Sequence, residues 1–176
     1  MVSQIPKITE LSKEDVLEFL RESNAIEREY SDEALQDALQ AWMYLLTECC
    51  TPVDKMILEA HRLLMQRLNS DIAGKWRKCA VYIGGREASD WKDIDPLIRL
   101  WVHRWTETPA TTEADIRQAH IDFEYIHPFE DGNGRTGRLL MNFQRLKAGL
   151  PLLIIHEGTE QHNYYKWFEE KQSLWR

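Results

Sequence analysis

The chain has 176 residues, with 22 Lys and Arg against 29 Asp and Glu, a formal charge of −7. That length suits one domain, the 43% of apolar residues with 7 Trp can fill a core, and the acidic balance argues against a general nucleic-acid binder. No long apolar run fit to span a membrane is present, and the opening MVSQIPKITELSKED lacks the basic-then-apolar pattern of a secretory signal, so a cytoplasmic protein is expected.

In chain order, Ser12 with Asp15 three residues on caps a helix carrying Val16, Phe19, Leu20 and Ile26. Ser31 opens a second helix, with Leu35, Leu39, Trp42, Met43 and Leu46 at helical spacing. Thr51-Pro52 with Asp54 opens a third, bearing Ile57, Leu58, His61, Leu64, Met65 and Leu68, and Gly74 ends the region. The pattern then changes: Lys78 to Ile83 is short, β-branched and aromatic, and Gly84-Gly85 follows it, which reads as a strand or hairpin. Asp95-Pro96 restarts a helix rich in Trp101 and Trp105. Thr112 caps the next, with Ile116, Ala119, Phe123 and Ile126 on one face, and Pro128 requires it to end near His127. Leu139, Leu140, Phe143 and Leu146 mark a further helix stopped by Gly149 and Pro151, and a last one holds Tyr164, Tyr165, Trp167 and Phe168. Cys49, Cys50 and Cys79 show neither a disulfide framework nor metal-ligand spacing. The expected fold is mainly α with a small β-hairpin. An N-terminal helical region (1–50) is expected to join a core (51–176) in one compact unit.

The segment from Gly132 to Gly137 spells G-x-G-x-x-G. A dinucleotide-binding unit needs an apolar strand running into the first glycine. Here the residues before Gly132 recur at helical spacing and end in Glu130-Asp131. No G-K-[ST] follows, so a P-loop fares no better. A glycine loop entering a helix nevertheless presents free N–H groups to an anion. Arg135 and Arg138 lie three apart, so both can project toward bound phosphates. Asp131 offers the single carboxylate with which Mg²⁺ is commonly held beside substrate phosphates. His127 offers a proton acceptor near neutral pH. These groups together describe nucleotide chemistry by positioning and electrostatics.

His127-Pro128-Phe129-Glu130-Asp131-Gly132-Asn133-Gly134-Arg135-Thr136-Gly137-Arg138 matches every fixed position of HPFx[D/E]GNGRxxR, and the chain thereby resembles the Fic (filamentation induced by cAMP) domain family. The likeness extends over about residues 52–170, through Ala119-His120, Gly74-x-x-Arg77 and Val81-Tyr82-Ile83-Gly84-Gly85. It implies transfer of AMP from ATP to a Ser, Thr or Tyr hydroxyl of a target protein. His127 would be the catalytic base and Asp131 the Mg²⁺ ligand. Gly132, Asn133 and Gly134 would cradle phosphate through their N–H groups. Arg135 would steady the phosphate chain and Arg138 would reach the γ-phosphate. Phe129 would anchor the loop from the core. Val81, Tyr82, Ile83, Gly84 and Gly85 resemble the family's flap, which aligns a target segment by main-chain pairing.

Ser23-Asn24-Ala25-Ile26-Glu27 resembles the family's inhibitory [S/T]xxxE[G/N] motif, which implies that Glu27 pairs with Arg138 and blocks productive ATP binding. Arg28 departs from the motif's Gly or Asn. In the family's base pocket an R-x-x-Y-Y-like pattern lines the nucleobase. Here Gln161 stands in place of the Arg, leaving Asn163 and Tyr164 as base contacts, with core packing an equal reading for the tyrosine. The alternatives are another nucleotidyl or phosphoryl transfer, removal of AMP, or a non-catalytic nucleotide- or partner-binding module. The partners expected are ATP and a target protein, with no nucleic acid and no membrane. A homo-oligomer is left open.

Overall fold

Helices begin where a short polar side chain can take the free amides of the first turn. The computed structural model describes residues 11–48, 53–107 and 112–169. Within them Ser12 accepts from the Asp15 amide (3.2 Å) at the start of α1 (Lys13–Ala25). Ser31 accepts from Ala34 at the start of α2 (Asp32–Thr47). Thr112 and Asp115 form a full capping box for α5 (Glu113–Ile126). The third helix, α3 (Val53–Met65), has the expected face, but its proposed Thr51-Pro52 start lies outside the described residues, as do Cys49 and Cys50. Cys79 is a free, exposed thiol.

Two expectations shift. The strand expected from Lys78 shrinks to β1 (Tyr82–Ile83), paired antiparallel with β2 (Arg86–Glu87) in register Tyr82↔Glu87. Gly84 and Gly85 both have positive φ (55° and 81°), which lets two residues close the hairpin with the twist the strands need. The helix expected at Asp95 begins earlier, after a 3₁₀ turn at Trp91–Asp93. As α4 (Ile94–Val102) it carries Pro96 in its first turn, where no amide is missed. Its end widens into a π turn at His103–Glu107, which places Trp105 so that its indole N–H reaches Asp122 (3.0 Å). The chain then forms α6 (Asn133–Lys147) and α7 (Thr159–Tyr165), the latter prolonged by a 3₁₀ turn at Lys166–Phe168.

One apolar core joins Phe19 and Leu20 of α1, Trp42 and Leu45 of α2, Ile57 and Leu64 of α3, Trp101 of α4, Phe123 of α5 and Leu139 of α6. A smaller cluster around Ile26, Ile116, Met141, Ile155 and Tyr164 lies beside it. Helical spacing overreached at Met43 and Leu68, which are exposed. The apolar run Leu152 to Ile155 forms no strand. Asn142 on α6 satisfies both backbone groups of Leu153, at 3.1 and 2.7 Å, so the run is held without a sheet partner. Among the described residues no helix is long and apolar enough to cross a membrane.

Candidate active site

Helix α5 stops because the residue before Pro128 cannot remain helical. His127 instead takes the left-handed conformation (φ 50°, ψ 62°), strained for a residue with a Cβ. Arg77 holds that turn. Its buried guanidinium donates to the carbonyls of His127 (2.7 Å) and Ile126 (3.3 Å), and also to those of Cys79 and Ser89 on either side of the hairpin. Its own amide reaches the Pro128 carbonyl (2.9 Å). One cation therefore ties the His127 turn to the base of the hairpin. In the sequence Arg77 was legible only as part of a resemblance.

The imidazole is mostly buried. Its Nδ1 lies 3.3 Å from the Glu124 carbonyl and 3.7 Å from the Glu124 carboxylate. Burial lowers the His127 pKa to about 4, with the nearby Glu124 carbonyl partly opposing, so the ring is an uncharged base at neutral pH.

Beyond the turn, Phe129 is fully buried and stacked on His61 with ring centroids 3.6 Å apart. His61 looked like one more member of an apolar stripe, yet it is a brace. Its Nδ1 accepts from the Gly74 amide (2.9 Å), so its Nε2 carries the proton and donates to the Asp131 carbonyl (2.9 Å). Burial keeps this ring neutral too, with a pKa lowered to about 4. Asn133 closes the loop from the other side, its side-chain amide exchanging two hydrogen bonds with the Phe129 backbone.

Helix α6 then starts without any side-chain cap. Gly132 (φ 75°) makes the entry turn, and a Cβ there would press on Met65 Sδ at 2.8 Å. Its amide is taken by the Asp131 carboxylate (2.6 Å), which leaves the following turn of the helix as the anion-facing end. Asp131 is exposed at the mouth of this loop. Among the described residues no cluster of three His, Cys, Asp or Glu side chains is suited to a metal.

The two arginines differ sharply. Arg135 is buried with its Nε unpartnered, and its guanidinium has a hydrogen bond to the Met65 thioether (3.1 Å), a weak acceptor. Burial lowers its pKa against the attraction of Asp131 and Glu27. Arg138 is saturated: it donates to Ser23 Oγ (3.0 Å), the Ser23 carbonyl (2.8 Å) and Glu27 Oε1 (2.8 Å). Gly134 makes room for this contact, since a Cβ there would collide with Glu27 Oε1 and lie 3.0 Å from Arg138. Tyr164 supports the guanidinium from α7. Its hydroxyl accepts from Arg138 at 3.5 Å and is hydrogen-bonded with His120 Nε2 at 2.8 Å.

The end of α1 explains how Glu27 is aimed. The Glu29 amide bonds to the Asn24 carbonyl (3.1 Å) and the Arg28 amide to the Ala25 carbonyl (2.8 Å), the pairing of a helix end that turns through one left-handed residue. That residue is Arg28, with φ 60°. The geometry favours Gly or Asn there, so Arg28 is strained.

These parts border a cleft of about 350 Å³ lined by Glu27, Glu124, His127, Gly134 and Arg138 on one side. Ile83, Gly84 and Arg86 of the hairpin and Tyr125, Tyr164, Tyr165 and Phe168 complete it. Of the hairpin residues named from sequence, Ile83 and Gly84 reach the cleft and Tyr82 projects into solvent; the Val81 carbonyl accepts from Ala88. Of the two residues expected to contact the base, Tyr164 lines the cleft but Asn163 does not. Asn163 is exposed and accepts from Lys166 Nζ (3.3 Å).

Known proteins resemble this chain in sequence and in fold. The chain is 34% identical over 118 residues to the protein adenylyltransferase Fic of Aedes aegypti, which is 65% of this chain and 23% of that protein. It is 36% identical over 115 residues to the protein of the same name from Drosophila yakuba, 63% of this chain and again 23% of the relative. The matched part is thus under a quarter of the length of these relatives. Among solved structures, Fic-1 (residues 134–508) from C. elegans superposes with a TM-score of 0.75 at 21% identity, covering 89% of this chain and 56% of that one. A Fic-domain-containing signaling protein from Bacteroides thetaiotaomicron superposes at 0.71 with 22% identity, covering 87% and 70%. These likenesses show the fold. The Fic/DOC family model matches residues 52–144, more than half of the chain, and the chain therefore belongs to the Fic/DOC family.

Proposed function

We propose that this chain is a protein adenylyltransferase that moves AMP from ATP to a hydroxyl side chain of a target protein, held back by its own Glu27. The observation that carries the reading is the placement of a neutral, buried His127 on the cleft beside the uncapped start of α6 and a buried arginine lacking an anionic partner. Curated relatives bearing the name protein adenylyltransferase support it.

In this reading Arg135 and the amides of Asn133 and Gly134 receive phosphate oxygens, exchanging a weak thioether contact for charge-assisted hydrogen bonds. His127 accepts the proton of the attacking hydroxyl through Nε2, the nitrogen turned away from Glu124. The hairpin presents the target strand, its two-residue strands leaving main-chain groups unpaired. Tyr165, Tyr125 and Phe168 offer the aromatic and apolar surface for the adenine, in place of Asn163. Asp131 fits Mg²⁺ as a lone exposed carboxylate beside phosphates rather than as part of a protein cage. The ion, when bound, supplies charge neutralisation to the phosphates.

The test is ATP labelled in turn at the α- and γ-phosphates, with the protein incubated in a host lysate. Label should pass to protein from the α position alone. Transfer from the γ position would make it a kinase instead.

Arg28 bears on the strength of inhibition. Arg28→Asn should relieve part of the left-handed strain, about 0.5–1 kcal/mol, and hold Glu27 more firmly. Basal labelling is expected to fall about two- to fivefold, with a slightly raised Tm. Unchanged labelling with the raised Tm would separate the strain from the inhibition.

A further inference from the structure

Glu27 in the cleft has its partner in Arg138, whereas the buried carboxyl of Glu124 beside it has none at Oε1. That oxygen is sealed from water, while Oε2 faces His127 Nδ1 at 3.7 Å. The side chain is 12% exposed and borders the cleft. A carboxyl hidden in this way is costly unless it serves something. The fold also makes room for it. Gly137, on the face of α6 turned toward α5, has no Cβ; one built there would collide with Glu124 Oε1 and crowd His120. The left-handed turn at His127 folds the ring back over the last turn of α5, so that Nδ1 meets both the carbonyl and the carboxyl of Glu124.

We propose that Glu124 is a positioning residue for the base: it holds the His127 ring through Nδ1, keeps Nε2 toward the cleft, and supplies the counter-charge when the ring becomes cationic. The proposal rests on the adenylyl-transfer reading. In the step it serves, the hydroxyl O–H bond breaks and an Nε2–H bond forms on His127. The hydroxyl oxygen bonds to the α-phosphorus as the bond to the β-phosphate oxygen breaks, and pyrophosphate leaves. The pair then holds two protons and releases one to water at the cleft, so that it again carries one.

The surroundings suit that exchange. Burial pushes the Glu124 pKa up to about 8, with Arg138 opposing and Glu27 reinforcing. Burial pushes His127 the other way. At neutral pH the pair therefore carries one proton, and burial favours the uncharged ring. The other charged or titratable groups facing the pair are Arg77, His120, Asp131, Tyr164 and, on the hairpin, Arg86.

The experiment follows the His127 ring resonances of the wild-type chain by NMR from pH 4 to 10, and compares kcat of wild type and Glu124→Gln. The wild-type ring should show a second inflection near pH 8, where Glu124 ionises, and Glu124→Gln should lack it. The variant's kcat should fall about 10- to 100-fold with the KM for ATP within about threefold. A wild-type ring that titrates in one step overturns the proposal whether or not the variant folds. So does a variant with wild-type kcat, because glutamine fills the same space without the charge. If the wild type transfers no AMP at all, the reaction reading fails, and the two-step ring titration still decides the role of Glu124.

Discussion

Replacing His127 with Ala is expected to lower AMP transfer by about 10²- to 10⁴-fold, the range for loss of a positioned base. The binding of ATP should be almost unaffected, because the groups proposed to face phosphate sit on α6 and the imidazole sits at the end of α5. Calorimetry with ATP and labelling from α-tagged ATP, run on the same preparation, separate the two quantities. Arg77 still grips the backbone carbonyls of the left-handed turn in that variant, so the fold should persist. Undiminished labelling in His127→Ala would remove the proposed mechanism. In wild type, kcat/KM should hold steady below the usual histidine range and fall only toward pH 4, since burial lowers the His127 pKa to about 4.

The opposite change is expected from Glu27→Gly. Glu27 is 39% exposed, so its ion pair with Arg138 is partly screened, and the charge-assisted hydrogen bond at 2.8 Å is the larger part of the contact. Bonds of this type contribute about 1.5–3 kcal/mol, so freeing the guanidinium should raise labelling about 10- to 100-fold and tighten ATP binding in parallel. The two bonds from Arg138 to Ser23 remain in that variant and set an upper limit on the gain. Equal labelling and equal ATP affinity in wild type and Glu27→Gly would show that Glu27 does not restrain the site.

What the sequence disclosed was mostly local. Ser12, Ser31 and Thr112 declared their helices because a capping side chain acts on an amide two or three residues away. Pro128 declared the end of α5 for the same kind of reason. Met43 and Leu68 misled because helical spacing gives a face, not the width of what covers it. The strand expected from Lys78 is shortened where the Arg77 guanidinium, drawn to the His127 carbonyl 50 residues on, also claims the Cys79 carbonyl that a strand would have offered to a neighbour. Within the candidate site, the signature named the residues proposed to meet the nucleotide but not their supports. His61 reaches Asp131 across 70 residues, and Arg138 reaches Ser23, which the upstream motif alone had named, across 115. Glu124 was readable as part of a helix face. Its meaning required knowing that His127 folds back over it and that Gly137 leaves it space.

The grip of Arg138 on the Ser23 carbonyl makes this arginine part of the closure of α1 as well as of the proposed phosphate site. On the proposed reading, nucleotide and helix end draw on one guanidinium, and thermodynamic linkage makes their competition reciprocal. Whatever factor a firmly wound helix end takes from ATP affinity, bound ATP takes the same factor from the winding of that end. Phe19 and Leu20 anchor the rest of α1 in the main core, so the exchange is confined to the last turn. The molecule would then read its own nucleotide supply: at low ATP the turn stays wound, and at high ATP mass action unwinds it without any second protein.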